Sequence, residues 1–386
     1  MVKRGEWARW VLVLGIVGSA LWLSLASSSI WAADRRIDFW SEQRRGTNCF
    51  NGNVTLAWWR AAREAGIDVV RLAPNKWISR ERDFLVGNTD HFAGVVAVDL
   101  AALLGVLDDA DSVGMKVVVT TLSLPGSRWR QQNGDRSDLA LWRDTAYWDE
   151  AARFWRELAG HLKAHPAVVG YNIINEPTPE LALGTDGAAV LNRFYQVVMA
   201  AIREEDSETP IILDGGQWAS PSGLAALAPL PDEKVLYSFH MYEPFEFTNR
   251  KANSGRYCYP GQVVQDARDT LILDTDALVA ILAPVAAWQK RYAVPSNRIF
   301  AGEFGCHRVT CGAADYLGDL IRLFDQHNWH WAFYAFREDT WDGMDYELGT
   351  KPPGWKYWQA IDRGEKPSLP RVDNPIWRVI RQHLKN

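Results

Sequence analysis

The sequence predicts a (β/α)8 TIM barrel of the α/β class, built as a single domain. Three observations predict it. From about residue 45, short β-rich apolar runs alternate with longer segments whose apolar residues recur every three or four positions. The alternation makes eight rounds, and no break in composition divides them into two halves.

The apolar runs, read as strands, are Arg45 to Phe50, Ile67 to Pro74, Met115 to Leu124, Val168 to Pro177, Pro210 to Gln217, Val235 to Phe245, Arg298 to Cys306 and His330 to Asp339. The helical segments between them are Val54 to Ala65, Asp99 to Val113, Thr145 to Ala164, Ala188 to Glu205, Thr275 to Tyr292 and Ala313 to Asn328, with Pro375 to Leu384 last. Asn53 and Asn374 stand where N-caps belong, and Gly66 and Gly114 follow helix ends. The fifth connection, Ser220 to Leu227, is short for a barrel helix. Long connections after the second, sixth and eighth strands sit where barrels build their sites, at the C-terminal face.

With 47% hydrophobic and 23% charged residues in 386, the chain can bury a large core. A net charge of -5 and no long run of one sign leave no basic surface for nucleic acid. The 20 tryptophans exceed what packing alone usually asks for; flat rings that stack on sugar faces or sit at a membrane interface are two uses. Lys3, Arg4 and Arg9 precede an apolar stretch from Trp10 to Ala26 and then small residues, which assigns residues 1–33 to a signal peptide or an N-terminal membrane anchor and 34–386 to the barrel. Ser24-Leu25-Ala26 and Trp31-Ala32-Ala33 are the candidate cleavage sites. Either route exports the protein, secreted or periplasmic, with residues 10–26 as the tether if they are retained. Cys49, Cys258, Cys306 and Cys311 then allow three complete pairings, among which the sequence does not choose.

The segment "GYNIINEPTPE" runs from an apolar strand straight into Asn175, Glu176 and Pro177. A strand feeding a buried sheet has no structural need for a charge at its tip. The second run ends near Arg71, the sixth near His240 and Tyr242, and the seventh near Glu303, and in a barrel all these tips converge on one mouth. Each residue alone has an ordinary explanation as a loop cap, a surface ion pair or a structural histidine. Together they supply two carboxyls with supporting cations and amides, the equipment for cleaving a glycosidic bond. One carboxyl must hold a proton and the other must stay ionised, so their surroundings must differ. Arg71 is the group expected to keep one ionised, and burial to protonate the other.

"VVRLAPNKW", "NIINEPTPE", "FHMYEPF" and "FAGEFG", in that order, resemble glycoside hydrolase family 5, the cellulase-like retaining glycosidases with two strand-end glutamates. The resemblance runs from about residue 45 to the C-terminus. It implies a catalytic domain in which Glu176 is the acid/base, Glu303 the nucleophile and Asn175 the amide at the sugar 2-hydroxyl. Arg71 and Tyr242 would orient the nucleophile, and His240 would partner the acid/base. No metal or organic cofactor is implied; the partner is an oligo- or polysaccharide. Two positions depart from the family pattern: Leu122 stands where a histidine is common, and Tyr334 where a tryptophan commonly floors the reacting subsite. Trp77, Trp129, Trp218, Trp341 and Trp355 are candidates for stacking on an extended β-linked glucan or mannan, or for bracing loops.

The acids of "REDTWDGMDYELG" are read as a sugar-binding rim or as an ordinary polar loop; their spacing fits no standard calcium loop. Cys306, His307 and Cys311 match no zinc pattern. Other readings keep the barrel and change the outcome: a β-mannanase, a glycolipid-directed glycosidase, a transglycosylase, or a noncatalytic carbohydrate-binding envelope protein.

Overall fold

Eight strands with alternating inward and outward residues close into one parallel barrel, in the order β1-β8-β7-β6-β5-β4-β3-β2. They are β1 (Arg45–Cys49), β2 (Val69–Leu72), β3 (Lys116–Thr120), β4 (Val168–Asn172), β5 (Ile211–Asp214), β6 (Val235–Met241), β7 (Ile299–Phe304) and β8 (His330–Phe333). The computed structural model describes residues 36–385 apart from 50–53, 75–81, 89, 266–268, 339–342, 366 and 368. The N-terminal segment read as leader or anchor lies outside the described residues. Among the described residues no helix is long and apolar enough to cross a membrane.

The helices between the strands are α1 (Leu56–Ala65), α2 (Ala97–Ser112), α3 (Ala146–Leu162), α4 (Gly187–Glu205), α5 (Pro221–Ala225), α6 (Thr275–Tyr292), α7 (Ala313–His327) and α8 (Pro375–Leu384). The cap of α1 is Thr55, whose side chain accepts from the Trp58 N–H, so the helix starts two residues later than expected; Asn53, the expected cap, lies outside the described residues. Asn374 caps α8 as expected, accepting from the Trp377 N–H. The fifth helix is a single short turn with Pro221 in its first turn, which explains its weak periodicity.

Every strand but the first ends two or more residues before the apolar run does. The reason is chemical: where a side chain must face the mouth, the backbone leaves the ladder. Glu176 lies four residues past the end of β4 with φ 49°, a left-handed conformation that cannot continue a strand.

The barrel interior is layered. Trp40, Val69, Val118, Val169, Ile212, Leu236, Phe300 and Ala332 form an apolar layer. Trp40, fully buried on the turn Arg36–Ser41, seals the N-terminal end, its indole N–H donating to the Val169 carbonyl at 2.9 Å. Above this layer the inward residues turn polar: Asn48, Arg71, Asn172, Asp214, His240 and Glu303, all buried. The outward strand residues pack under the helices in a second, larger apolar cluster.

After β6 the chain makes two short helices and a hairpin, Gly261–Val264 paired antiparallel with Thr270–Leu273. The disulfide Cys258–Cys311 ties this excursion to the β7–α7 loop. Cys306 is a buried thiol whose pKa burial pushes up, so it and Cys311 offer no zinc site.

Candidate active site

The site is assembled around Arg71, which is wholly buried at the mouth end of β2. Its Nε and Nη2 donate to Asn172 Oδ1 at 2.9 and 2.6 Å, Nη2 also to Asn175 Oδ1 at 2.8 Å and Asp214 Oδ2 at 3.2 Å, and Nη1 to Asn48 Oδ1 at 3.3 Å. Nη1 grips Glu303 Oε1 at 2.6 Å. The other oxygen, Oε2, accepts from the Tyr242 hydroxyl at 2.9 Å. Glu303 is thus held at both oxygens by donors arriving from β2 and from the end of β6.

A bulge sets its place. Between β6 and β7 the register runs Phe239 with Ala301 and then His240 with Glu303, skipping Gly302. A Cβ on Gly302 would lie 2.5 Å from Ser238 Oγ, so a larger residue there would force that hydroxyl to move. The skipped residue brings Glu303 level with His240, whose Nδ1 is 4.0 Å from Glu303 Oε1 and 2.9 Å from Glu176 Oε1. Glu176, His240 and Glu303 each offer one atom within 4.8 Å of the others. Those three atoms could bind a divalent ion, or meet a substrate that enters the mouth.

Electrostatics follow from burial. Burial pushes the Glu303 carboxyl above its ordinary range, with His240 and Arg71 opposing it and Glu176 adding to it. Burial is the larger influence on this carboxyl, and Arg71 limits the rise. His240, buried, is held below its usual pKa, chiefly by desolvation, with Glu303 and Asp214 opposing, so the ring is uncharged at neutral pH. Tyr242 is pushed up by burial and by the nearby acids and remains a phenol donor.

A prediction follows from Glu303. If it must be ionised to react, the acidic limb of kcat/KM lies above pH ~4.3, the value for an unperturbed glutamate. A pH profile on a soluble substrate checks this; a limb at or below that value would remove the burial argument.

The cleft over these residues measures ≈ 590 Å³ and is lined by Leu122, Trp129, Trp218, Tyr334 and Phe245 as well as the polar set. Trp218 is 49% exposed and sits on three consecutive left-handed residues, Gln217, Trp218 and Ala219, with φ of 52, 57 and 60°. Each such residue costs about 1–2 kcal/mol, so the surroundings must hold the turn. Close packing does so: a Cβ on Gly223 would lie 1.8 Å from the Gly216 carbonyl oxygen.

Of the sequence-predicted residues, Arg71, Asn175, Glu176, His240, Tyr242 and Glu303 meet at the mouth, with Trp218 and Tyr334 on its walls. Leu122 is there too. Trp77 and Trp341 lie outside the described residues, and Trp355, 65% exposed on the helix Trp355–Asp362, is not among the cleft-lining residues. Of the acids after β8, Asp345 and Glu347 brace loops, pairing with Arg371, and Glu347 also with Arg337; Asp339 and Asp342 lie outside the described residues.

Sequence reasoning passed over Asn48, Asn172, Asp214 and Glu243. Glu243 lines the cleft, and burial lifts its carboxyl to about 7. A raised carboxyl pKa means the folded state binds the proton more tightly. Its stabilising contribution is present below the unfolded value of ~4.3 and is lost as pH rises through about 7. Glu243→Gln should therefore raise Tm at pH 8 and leave it nearly unchanged at pH 4, read by calorimetry; a lower Tm at pH 8 would show the charge is compensated.

A closed parallel barrel with two carboxyls close together at its C-terminal mouth is an arrangement that suits a glycoside hydrolase. The family model for cellulase (glycosyl hydrolase family 5) matches residues 38–340, and the chain belongs to that family. Endoglucanase C of Acetivibrio thermocellus is 26% identical over 309 residues, 74% of this chain and 83% of that protein. Endoglucanase 3 of Fibrobacter succinogenes is 31% identical over 109 residues, 28% of this chain but only 16% of that protein. Among solved structures, a hyperthermophilic endo-beta-1,4-glucanase in complex with substrate aligns over 90% of this chain and 99% of its own, with a TM-score of 0.63 and 18% identity, a likeness of fold.

Proposed function

We propose that the chain is a retaining β-glycosidase acting on a β-linked glucan, with Glu303 as nucleophile and Glu176 as acid/base. One observation carries the reading: Glu176 and Glu303 present carboxylate oxygens within 4.8 Å of each other, and retaining enzymes space their carboxyls by about 5–5.5 Å. Inverting enzymes need room for a water between them. The two acids are also held differently, Glu303 by Arg71 and Tyr242 and Glu176 by His240.

In the first step Glu303 attacks the anomeric carbon, the glycosidic C–O bond breaks, and Glu176 gives its proton to the leaving oxygen. In the second step Glu176 takes a proton from water, which displaces Glu303 and restores both groups. Asn175, which accepts from Arg71, would bond the sugar 2-hydroxyl, and Tyr334 and Trp218, which line the cleft, would stack on sugar rings. The relatives named endoglucanase support the glucan assignment.

The test is release of reducing ends from β-glucans, β-mannan and xylan, with the anomeric configuration of the first product followed by NMR. Retained β-product from a glucan is the expected result. An α-product would overturn the two-step reading, and cleavage of mannan alone would overturn the substrate.

We also infer export. The basic, apolar, small-residue order of residues 1–33 and the disulfide Cys258–Cys311 support it. N-terminal sequencing of protein recovered outside the cytoplasm distinguishes a cleaved leader from a retained anchor.

A further inference from the structure

The buried carboxylate of Asp214, at the mouth end of β5, touches more of the site than any role described so far requires. Its Oδ2 faces three nitrogens: Arg71 Nη2 at 3.2 Å, the Glu176 backbone N–H at 3.3 Å and His240 Nε2 at 3.5 Å. Its Oδ1 accepts from Asn172 Nδ2 at 3.2 Å, and its backbone carbonyl accepts from the Tyr195 hydroxyl at 2.7 Å. The carboxylate is therefore fixed on both edges; it contacts the Glu176 backbone directly and shares Arg71 with Glu303.

We propose that Asp214 is a positioning residue that keeps the single proton of the His240 ring on Nε2, leaving Nδ1 to accept a hydrogen bond from the protonated Glu176 carboxyl. This rests on the acid/base assignment of Glu176 above.

An uncharged imidazole carries one N–H and one lone pair, and neighbours decide which nitrogen has which. Nε2 lies 3.5 Å from the Asp214 oxygen, a charge contact without hydrogen-bond alignment, so a lone pair on Nε2 is repelled by the carboxylate while an N–H there is attracted to it. Nδ1 faces Glu176 Oε1 at 2.9 Å, and as an acceptor it is satisfied when Glu176 carries the proton. The other charged or titratable groups around the ring are Arg71 from β2, Glu303 from β7, and Tyr242 and Glu243 just past β6. Glu303 is 4.0 Å from Nδ1 and held by Arg71, so Asp214 is the carboxylate nearest Nε2.

The arrangement readies Glu176 for the first step. Once its proton has gone to the leaving oxygen, the Nδ1 lone pair faces a new carboxylate, which favours taking a proton back from water in the second step. Asp214 also holds the Glu176 N–H in its left-handed conformation, so the side chain enters the cleft from a fixed backbone.

The experiment compares wild type, Asp214→Asn and Glu176→Ala on two aryl β-cellobiosides, one with a dinitrophenolate leaving group that departs without protonation and one with an unactivated phenol. Asp214→Asn should lose about tenfold more kcat/KM on the phenyl than on the dinitrophenyl substrate, with the alkaline limb of its pH profile moved down by about one unit. Equal losses on both substrates with an unmoved limb would reduce Asp214 to a structural role and overturn the proposal. Glu176→Ala is the control: if it too loses equally on both, the acid/base assignment falls, separately from Asp214. Should Asp214→Asn fail to fold, 15N NMR of histidine-labelled wild type decides, with His240→Gln to assign the signals. A proton on Nε2 is the expected result, and a proton on Nδ1 would overturn the proposal.

Discussion

Glu303→Gly should lower kcat on a β-glucan by about 10⁴-fold or more, because it removes the group proposed to form the covalent intermediate. Azide should restore part of the rate by entering the space the side chain leaves, and the product should be an α-glycosyl azide. A parallel Glu176→Ala variant should be rescued differently. Glu303 still forms the intermediate from an activated aryl glycoside, azide attacks it from the opposite face, and the azide product is β. The two products assign the two roles independently of rate. An α-azide from Glu176→Ala, or a Glu303→Gly variant retaining a tenth of the activity, would reverse or remove the assignment.

The second large effect belongs to Arg71. Arg71→Met should destabilise the fold by about 3–5 kcal/mol at pH 7, since it leaves Asp214 and Glu303 as buried charges without their cation and strips Asn172, Asn175 and Asn48 of a donor. The penalty should shrink as pH falls, because the stranded carboxyls can then protonate. Arg71→Lys should rescue little, because one ammonium cannot serve five acceptors that are spaced for a planar fork. Urea unfolding at pH 7 and pH 5 reads both effects. A loss under about 1 kcal/mol that does not change with pH would mean that water or backbone rearrangement replaces the guanidinium.

Much of this was legible in the sequence, because the barrel repeats and motif tips obey rules that act locally. Apolar alternation placed all eight strands, and the question of why β4 should run into a carboxylate led to Glu176. The same question asked of β5 would have reached Asp214, which follows Ile211, Ile212 and Leu213 as the charged end of an apolar strand. It was missed because aspartate followed by two glycines reads equally well as a turn. Asn48 and Asn172 were harder to see. Each is one amide inside a strand, and its use as an acceptor for Arg71 depends on closure of the barrel, which no local pattern reports. The bulge at Gly302 and the left-handed turn at Gln217, Trp218 and Ala219 were not legible for the same reason: tertiary contacts hold them against local preference. The single bond Cys258–Cys311, with Cys306 a buried thiol, is none of the three complete pairings, and it likewise needed the loops to be placed first.

The Trp40 seal has a consequence for orientation. The turn Arg36–Ser41 sits at the pole of the barrel opposite the cleft, so Arg36, the first described residue, lies on the side facing away from the cleft. Whatever holds the protein by that end, whether a lipid bilayer, a fusion partner or a chromatography bead, leaves the mouth pointing outward. An N-terminal attachment should therefore cost the enzyme little of its access to a polymer, whereas coupling through the rim residues Phe245 or Trp218 would cover the opening.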